Sequence, residues 1–159
     1  RGGQLGLVAD MLLAAVVTCG FAVFYNTPWR YVAMAAAGGM AGHGLRFLAL
    51  EAAIHIEVAT LLGGFAVGVI SAWLARKGRL PIAVIAFAGA VTMMPGMAMF
   101  RALGGCLRLA RLMERSDPAD VAFTLGNAIQ ATLVFGGLAL GLVLGVRLLL
   151  SAHAAFFRR

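Results

Sequence analysis

The chain has 159 residues, of which 62% are hydrophobic and only 12% are charged. A soluble domain is roughly 45–50% apolar and about 25% charged, so this composition excludes an ordinary soluble domain. The formal net charge of +7 comes mainly from basic residues that cluster at the ends of apolar segments. That distribution suits anionic lipid headgroups, and we expect a lipid bilayer rather than a nucleic acid as the partner of these charges.

Long apolar blocks follow one another along the chain. A membrane-spanning helix needs roughly 20 apolar residues; the second block is the weakest, because it is rich in glycine and carries His43 and Arg46. The sequence therefore predicts an all-α, polytopic membrane bundle of about five spans, forming a single integral membrane domain over residues 1–159. The blocks cover residues 5–25, 31–50, 54–75, 81–103 and 121–150.

The first block carries one carboxylate, Asp10. Without Asp10 the block would be about 15 residues long, which is too short to span a bilayer. Ionisable residues at membrane depth are costly and usually mark function, so Asp10 is a candidate for proton coupling. The alternative is an interfacial carboxylate near the start of the helix, where the helix dipole favours a negative charge.

The densest ionisable cluster in an apolar part of the chain runs from His43 to Glu57. His43 and Arg46 are three residues apart and so share one face of a helix. We expect a buried polar role for His43, Arg46 and Glu57, and histidine can also couple to protons because it titrates near neutral pH. Glu51 and His55 fit a solvated turn between two spans.

The fourth block contains the stretch TMMPGMAMFRAL, residues 92–103, in which Gly96 follows Pro95 directly. Proline lacks a backbone donor and clashes with the preceding turn, so this pair predicts a broken fourth helix. Secondary transporters aim the N-terminus of such a half-helix at an anionic group of the substrate. The alternatives are a proline kink that only shapes packing, and a re-entrant rather than fully spanning fourth block.

A substrate site is predicted at this break. The half-helix would offer the N–H groups of Gly96, Met97 and Ala98, the hydroxyl of Thr92 and, one turn later, the charge of Arg101. The candidate substrate-binding residues are Thr92, Pro95, Gly96, Met97, Arg101 and Arg46.

Two amide side chains in the fifth block, Asn127 and Gln130, are three residues apart and are predicted to complete a polar site. The alternative is a hydrogen bond between helices. The candidates for proton coupling or for a polar network are Asp10, His43, Glu57, Asn127 and Gln130.

Glycines recur at four-residue spacing in three of the blocks, which places them on one helix face. Such faces let another helix approach closely. We expect them to pack helices within one bundle or between subunits, including subunits of a homo-oligomer. The glycines are Gly38 and Gly42, Gly64 and Gly68, and Gly137, Gly141 and Gly145.

Motifs of ATP-driven pumps and membrane hydrolases are missing from the sequence. It contains no Walker-type phosphate loop, HExxH, CxxC or GxSxG. Cys19 and Cys106 are far apart and form no metal or redox motif. We therefore expect no enzymatic activity, no cofactor and no metal site.

Three stretches, DMLLAAVVTCGFAVFYNTPWR, GHGLRFLALEAAIHIEVATLLGGFAVG and TMMPGMAMFRAL, occur here in this order. In this order they resemble the small membrane subunit of the threonine/serine exporter family, most closely that of the two-subunit bacterial succinate exporter. The same region forms the C-terminal half of fused members. The resemblance covers residues 10–146, and its most specific parts are Gly42–Arg46, Ile56-Glu57 and Pro95-Gly96.

The resemblance implies a multi-pass subunit of the bacterial inner membrane that works with a larger membrane subunit. It also implies export of a small carboxylate or amino acid, such as succinate, threonine or serine, without ATP hydrolysis by this chain. It supplies no set of site residues. The alternative function is that of a scaffold subunit, which only stabilises a transporting partner.

Overall fold

The computed structural model describes residues 2–78, 81–112 and 117–156, and every regular element in these ranges is an α-helix. The fourth apolar block forms two helices, and each of the other blocks forms one. This confirms the all-α fold and the predicted break at Pro95-Gly96. The helices are α1 (Gly2–Phe24), α2 (Trp29–Glu51), α3 (Ile56–Gly78), α4 (Ile82–Val91), α5 (Gly96–Leu112) and α6 (Pro118–Phe156).

Three of the described helices, α1, α3 and α6, are long and apolar enough to cross a membrane by themselves. Helices α4 and α5 meet the same test only as a pair, with a bend of 66° between them. The number of apolar spans is therefore three, or four with the bent pair. Helix α2 is the second block and does not meet this test, because it is rich in glycine and carries charges; it packs against α1, α3 and α4.

Helices α1 to α4 form an up-and-down bundle around α2. Gly44 and Gly39 of α2 approach Met11 and Thr18 of α1, which makes these two helices antiparallel. Small residues dominate the centre of the bundle, so the helix axes lie close together. One buried cluster consists of Ala22, Ala35, Ala75, Ile85 and Ala88, and a second of Val67, Ala90, Met93 and Leu138.

The C-terminal half of α6 runs parallel to α3 through a contact built from glycines. A Cβ atom added at Gly64 would lie 2.6 Å from the carbonyl oxygen of Leu138, which is closer than real Cβ atoms come. A Cβ atom added at Gly68 or at three glycines of α6 would meet backbone atoms at similarly short distances. These contacts agree with the predicted close approach of helices. On α6, Gly137 lies over the backbone of Glu57, Gly141 over that of Leu61, and Gly145 over that of Phe65.

The N-terminal half of α6 packs against α5 instead. Gly105 of α5 lies against Thr124 of α6, and Arg108 forms an ion pair with Asp120 across 2.8 Å. With its 39 residues α6 is about 58 Å long, nearly twice the bilayer core of about 30 Å. Helix α6 therefore packs against both α3 of the α1–α4 bundle and α5, the helix that follows the break.

Candidate functional site

The break between α4 and α5 is a short turn with its own hydrogen bonds. The N–H groups of Met93 and Met94 donate to the carbonyls of Ala90 and Val91, at 3.0 and 3.2 Å. The N–H of Gly96 donates to the carbonyl of Met94 across 2.8 Å. Gly96 is thus not free to bind an anion through its backbone, because the tight turn after Met94 already uses its N–H.

The first turn of α5 leaves two other backbone donors available. Its α-helical bonding begins with Met99, whose N–H donates to the carbonyl of Pro95 across 3.0 Å. The N–H groups of Met97 and Ala98 form no backbone hydrogen bond in the part of the chain that the structure describes. They provide the partial positive charge that a helix N-terminus offers to an anion.

A cavity of about 280 Å³ lies beside this turn. It brings together side chains from α2, α5 and α6, among them two arginines and two amides. Arg101 and Gln130 are exposed, so the cavity opens to the surface of the molecule. The lining residues are Arg46, Ile56, Met94, Pro95, Gly96, Met97, Ala98, Arg101, Asn127, Gln130 and Val134.

Arg46 is the cationic side chain at the inner wall of the cavity. Its stem lies against Gly63 of α3, and its Nε atom is buried without a hydrogen-bond partner among the described residues. A buried polar group that lacks a partner costs on the order of 1–3 kcal/mol, and more if it is charged. Arg46 thus combines an interior donor that is unpartnered among the described residues with a place in the lining of the cavity.

A second polar group lies about one helical turn from Arg46, where α1, α2 and the end of α4 meet. Nδ1 of His43 is 3.1 Å from Oδ2 of Asp10, and its Nε2 is 3.1 Å from Oγ1 of Thr92. The hydroxyl of Thr92 is also 2.9 Å from the carbonyl oxygen of Gly89. Asp10 lies within Coulombic range of Arg46, so these groups and the cavity share one electrostatic environment.

The structure groups the residues that we expected to bind substrate, with one exception. Arg46, Pro95, Gly96, Met97 and Arg101 all line the cavity. The hydroxyl of Thr92 points to His43 and to the end of α4 instead, since Thr92 precedes Pro95 by nearly a full turn.

The predicted polar network separates into two parts. Asp10 and His43 contact each other. Asn127 and Gln130 line the cavity instead. The amide of Asn127 also donates to the carbonyl of Phe123 across 2.8 Å. Glu57 lies in the first turn of α3, and no hydrogen bond or ion pair of its carboxylate is present in the described ranges.

Glu51 and His55 are both exposed at the turn between α2 and α3, in agreement with a solvated connection.

Some residues of the site could not be identified from the sequence. Ile56 and Val134 line the cavity through packing alone, and an apolar residue in an apolar block does not stand out. The contact between Asp10 and His43 could be anticipated from the sequence only indirectly. Each is an ionisable residue within an apolar block, and a buried charge needs a partner.

The fold and the site define a helical membrane protein with a polar cavity at a broken helix, an arrangement that secondary transporters use. The sequence profile of the threonine/serine exporter family, ThrE, matches residues 10–147. The chain belongs to this family of transporters. No solved structure matches the chain.

Proposed function

We propose that this chain is the small membrane subunit of a secondary exporter in the bacterial inner membrane. It would work with a larger membrane subunit of the same family and carry threonine, serine or a small dicarboxylate such as succinate. The observation that supports this proposal most directly is the cavity beside Pro95-Gly96, which is lined by two arginines and by the first turn of α5.

The cavity has the chemistry of a carboxylate site. The N–H groups of Met97 and Ala98 and the guanidinium groups of Arg46 and Arg101 are all donors, and hydrogen bonds to a charged group are about twice as strong as neutral ones. A volume of about 280 Å³ is at the lower limit of ordinary ligand pockets. Succinate, serine and threonine are small and all carry a carboxylate, so they fit both properties.

The remaining polar groups suit the rest of such a substrate. The amides of Asn127 and Gln130 contain both donors and acceptors, so they can bind a hydroxyl, an ammonium group or a second carboxylate. They belong to α6, whereas the arginines belong to α2 and α5. A bound substrate would therefore connect three helices, and movement at the turn between α4 and α5 would change the cavity.

The proposal is tested by efflux of labelled succinate and labelled threonine from cells that lack their own exporters. This chain is expressed alone, with the larger subunit, and the larger subunit is also expressed alone. We expect efflux only when both subunits are present, with the preferred label identifying the substrate. Equal efflux from the larger subunit alone would contradict the proposal and favour the scaffold function, for which the tight glycine contacts between α3 and α6 would suffice.

A leucine side chain at position 96 would project into the cavity and should strongly reduce export. Gly96 has no atom within 4 Å of an added Cβ and lines the cavity, and its φ is not positive. In Gly96→Leu the new side chain occupies substrate space, and overpacking of about 1–3 kcal/mol would lower apparent affinity roughly 5- to 150-fold. The measurement is initial efflux rate against internal substrate concentration.

Gly104→Leu is the matched control for this variant. Gly104 lies on the same helix, also has nothing within 4 Å of an added Cβ, and does not line the cavity. We expect its export to equal that of the wild type at equal membrane abundance. Wild-type export by Gly96→Leu, or an equal loss in both variants, would rule out the cavity as the substrate site.

A further inference from the structure

The hydroxyl of Thr92 lies between α2 and α4 and has two polar neighbours. Its Oγ1 is 2.9 Å from the carbonyl oxygen of Gly89 and 3.1 Å from Nε2 of His43. A hydroxyl has a single proton to donate, so it donates to one of these neighbours at a time. The choice depends on whether Nε2 of His43 already carries a proton.

We propose that Asp10 and His43 form a single-proton site, and that the hydroxyl of Thr92 changes its acceptor with the occupancy of that site. With the proton bound, both ring nitrogens of His43 carry hydrogen. Nδ1–H then donates to Oδ2 of Asp10, and Nε2–H donates to Oγ1 of Thr92. The hydroxyl of Thr92 donates to the carbonyl of Gly89 in the last turn of α4.

Without the proton, neutral His43 keeps its hydrogen on Nδ1 and still donates to Asp10. The lone pair on Nε2 now accepts the hydroxyl proton of Thr92, and the carbonyl of Gly89 loses this donor. Loading the site takes one proton from hydronium and forms one N–H bond, while the Thr92 O–H rotates about its C–O bond. The observed distances of 2.9 and 3.1 Å suit both states, so no heavy atom has to move.

The charged surroundings permit both states. Arg46, one turn from His43 on α2, lies within Coulombic range of Asp10 and compensates the carboxylate when the proton has left. Helix α4 contains no ionisable residue and is followed directly by Thr92, and Glu57 of α3 forms no hydrogen bond or ion pair with either residue of the pair in the described ranges. The side chain of Asp10 is 40% exposed and that of His43 only 13%, so His43 is the more enclosed member of the pair.

The proton site is linked to the cavity along two helices. Arg46 follows His43 by three residues on α2, and Pro95 follows Thr92 by three residues at the break. A change at Thr92 therefore alters the hydrogen bonding at the C-terminal end of α4, directly before the turn that leads to α5. This last step, in which proton occupancy influences the substrate cavity, rests on the proposed function; the single-proton site itself does not.

The test follows the carbonyl of Gly89, because the sequence contains a single Gly-Ala step, Gly89-Ala90. Protein labelled with ¹³C at glycine carbonyls and ¹⁵N at alanine therefore gives one filtered NMR signal, which is recorded against pH without any substrate. We expect this signal to move with pH in the wild type and in Thr92→Ser, which keeps the hydroxyl. It should stay constant in Thr92→Val and in His43→Gln.

A second readout uses ¹⁵N-labelled histidine, with the His43 signals identified by their loss in His43→Gln. We expect deprotonated His43 to carry its hydrogen on Nδ1, and the fraction of this tautomer to fall in Asp10→Ala. A hydrogen on Nε2 in the deprotonated wild type would overturn the proposal. So would a Gly89 signal that moves equally in Thr92→Val and in the wild type. Failure to transport any substrate leaves these readouts intact and would count against the proposed function alone.

Discussion

Replacing Arg46 with glutamine should strongly reduce export while leaving the amount of protein in the membrane unchanged. Arg46 lines the cavity, and its Nε atom is buried without a partner among the described residues. A hydrogen bond to a charged group contributes about 1.5–3 kcal/mol, which corresponds to roughly a 10- to 150-fold loss of apparent affinity. Glutamine keeps a polar amide, so the variant loses the positive charge together with the reach and the planar donors of the guanidinium.

The matched control for Arg46 is Arg108→Gln. Arg108 is exposed on α5, far along the helix from the break, and forms an ion pair with Asp120. Exposed ion pairs contribute about 0–1 kcal/mol, so export by this variant should stay close to that of the wild type. The measurement is efflux rate against substrate concentration at equal membrane abundance. Equal losses in both variants would show a general dependence on cationic side chains and would contradict a binding role for Arg46.

Arg46→Lys separates the contribution of charge from that of geometry. Lysine keeps the positive charge but lacks the planar guanidinium that binds a carboxylate with two parallel hydrogen bonds. We expect partial export, between that of the wild type and that of Arg46→Gln. Complete recovery by lysine would indicate that the cavity attracts the substrate by charge alone.

The helices and the break could be predicted from sequence because their causes are local. Apolar blocks of sufficient length predict spans, and adjacent proline and glycine predict an interruption at Pro95-Gly96. The residues of the cavity could also be predicted in part. Met97 and Arg101 follow the break on the same half-helix, so their proximity to it is a consequence of helix geometry.

The pairing of distant groups could not be predicted in the same way. Asp10 and His43 are separated by 33 residues, and their contact depends on how α1 and α2 align, which the glycines Gly39 and Gly44 help to determine. The use of the Gly96 N–H was also unexpected, because it depends on the tight turn that begins at Met94. Both results follow from helix packing and backbone geometry, which cannot be derived from the residue types alone.

Gly141→Leu should prevent folding of the bundle and is expected to leave almost no correctly assembled protein. An added Cβ at Gly141 would fall on the carbonyl oxygen of Leu61 and would lie 2.9 Å from its carbonyl carbon and 3.0 Å from the backbone nitrogen of Phe65. These are backbone atoms of α3, which cannot rotate away as a flexible side chain can. Relief of the overlap requires α3 and α6 to move apart, and the rest of the leucine side chain needs much more room than its Cβ alone.

A smaller substitution allows this effect to be measured in folded protein. Gly141→Ala should destabilise the chain by about 1–3 kcal/mol, the usual cost of overpacking a close contact. Gly126→Ala is the matched control on α6, because nothing lies within 4 Å of its added Cβ. Alanine is favoured over glycine inside a helix by about 1 kcal/mol, so the control should be neutral or slightly stabilised. Reversible unfolding in detergent and size-exclusion profiles measure both variants.

The outcome at Gly141 also bears on the cavity, because α6 is one continuous helix. Its C-terminal half is held against α3 by Gly141, while its N-terminal half carries Asn127 and Gln130 into the cavity. A folded fraction of Gly141→Ala should therefore export with reduced apparent affinity, whereas Gly126→Ala should not. Full stability and normal export in Gly141→Ala would mean that α3 and α6 are further apart than described, and that the position of the two amides does not depend on this contact.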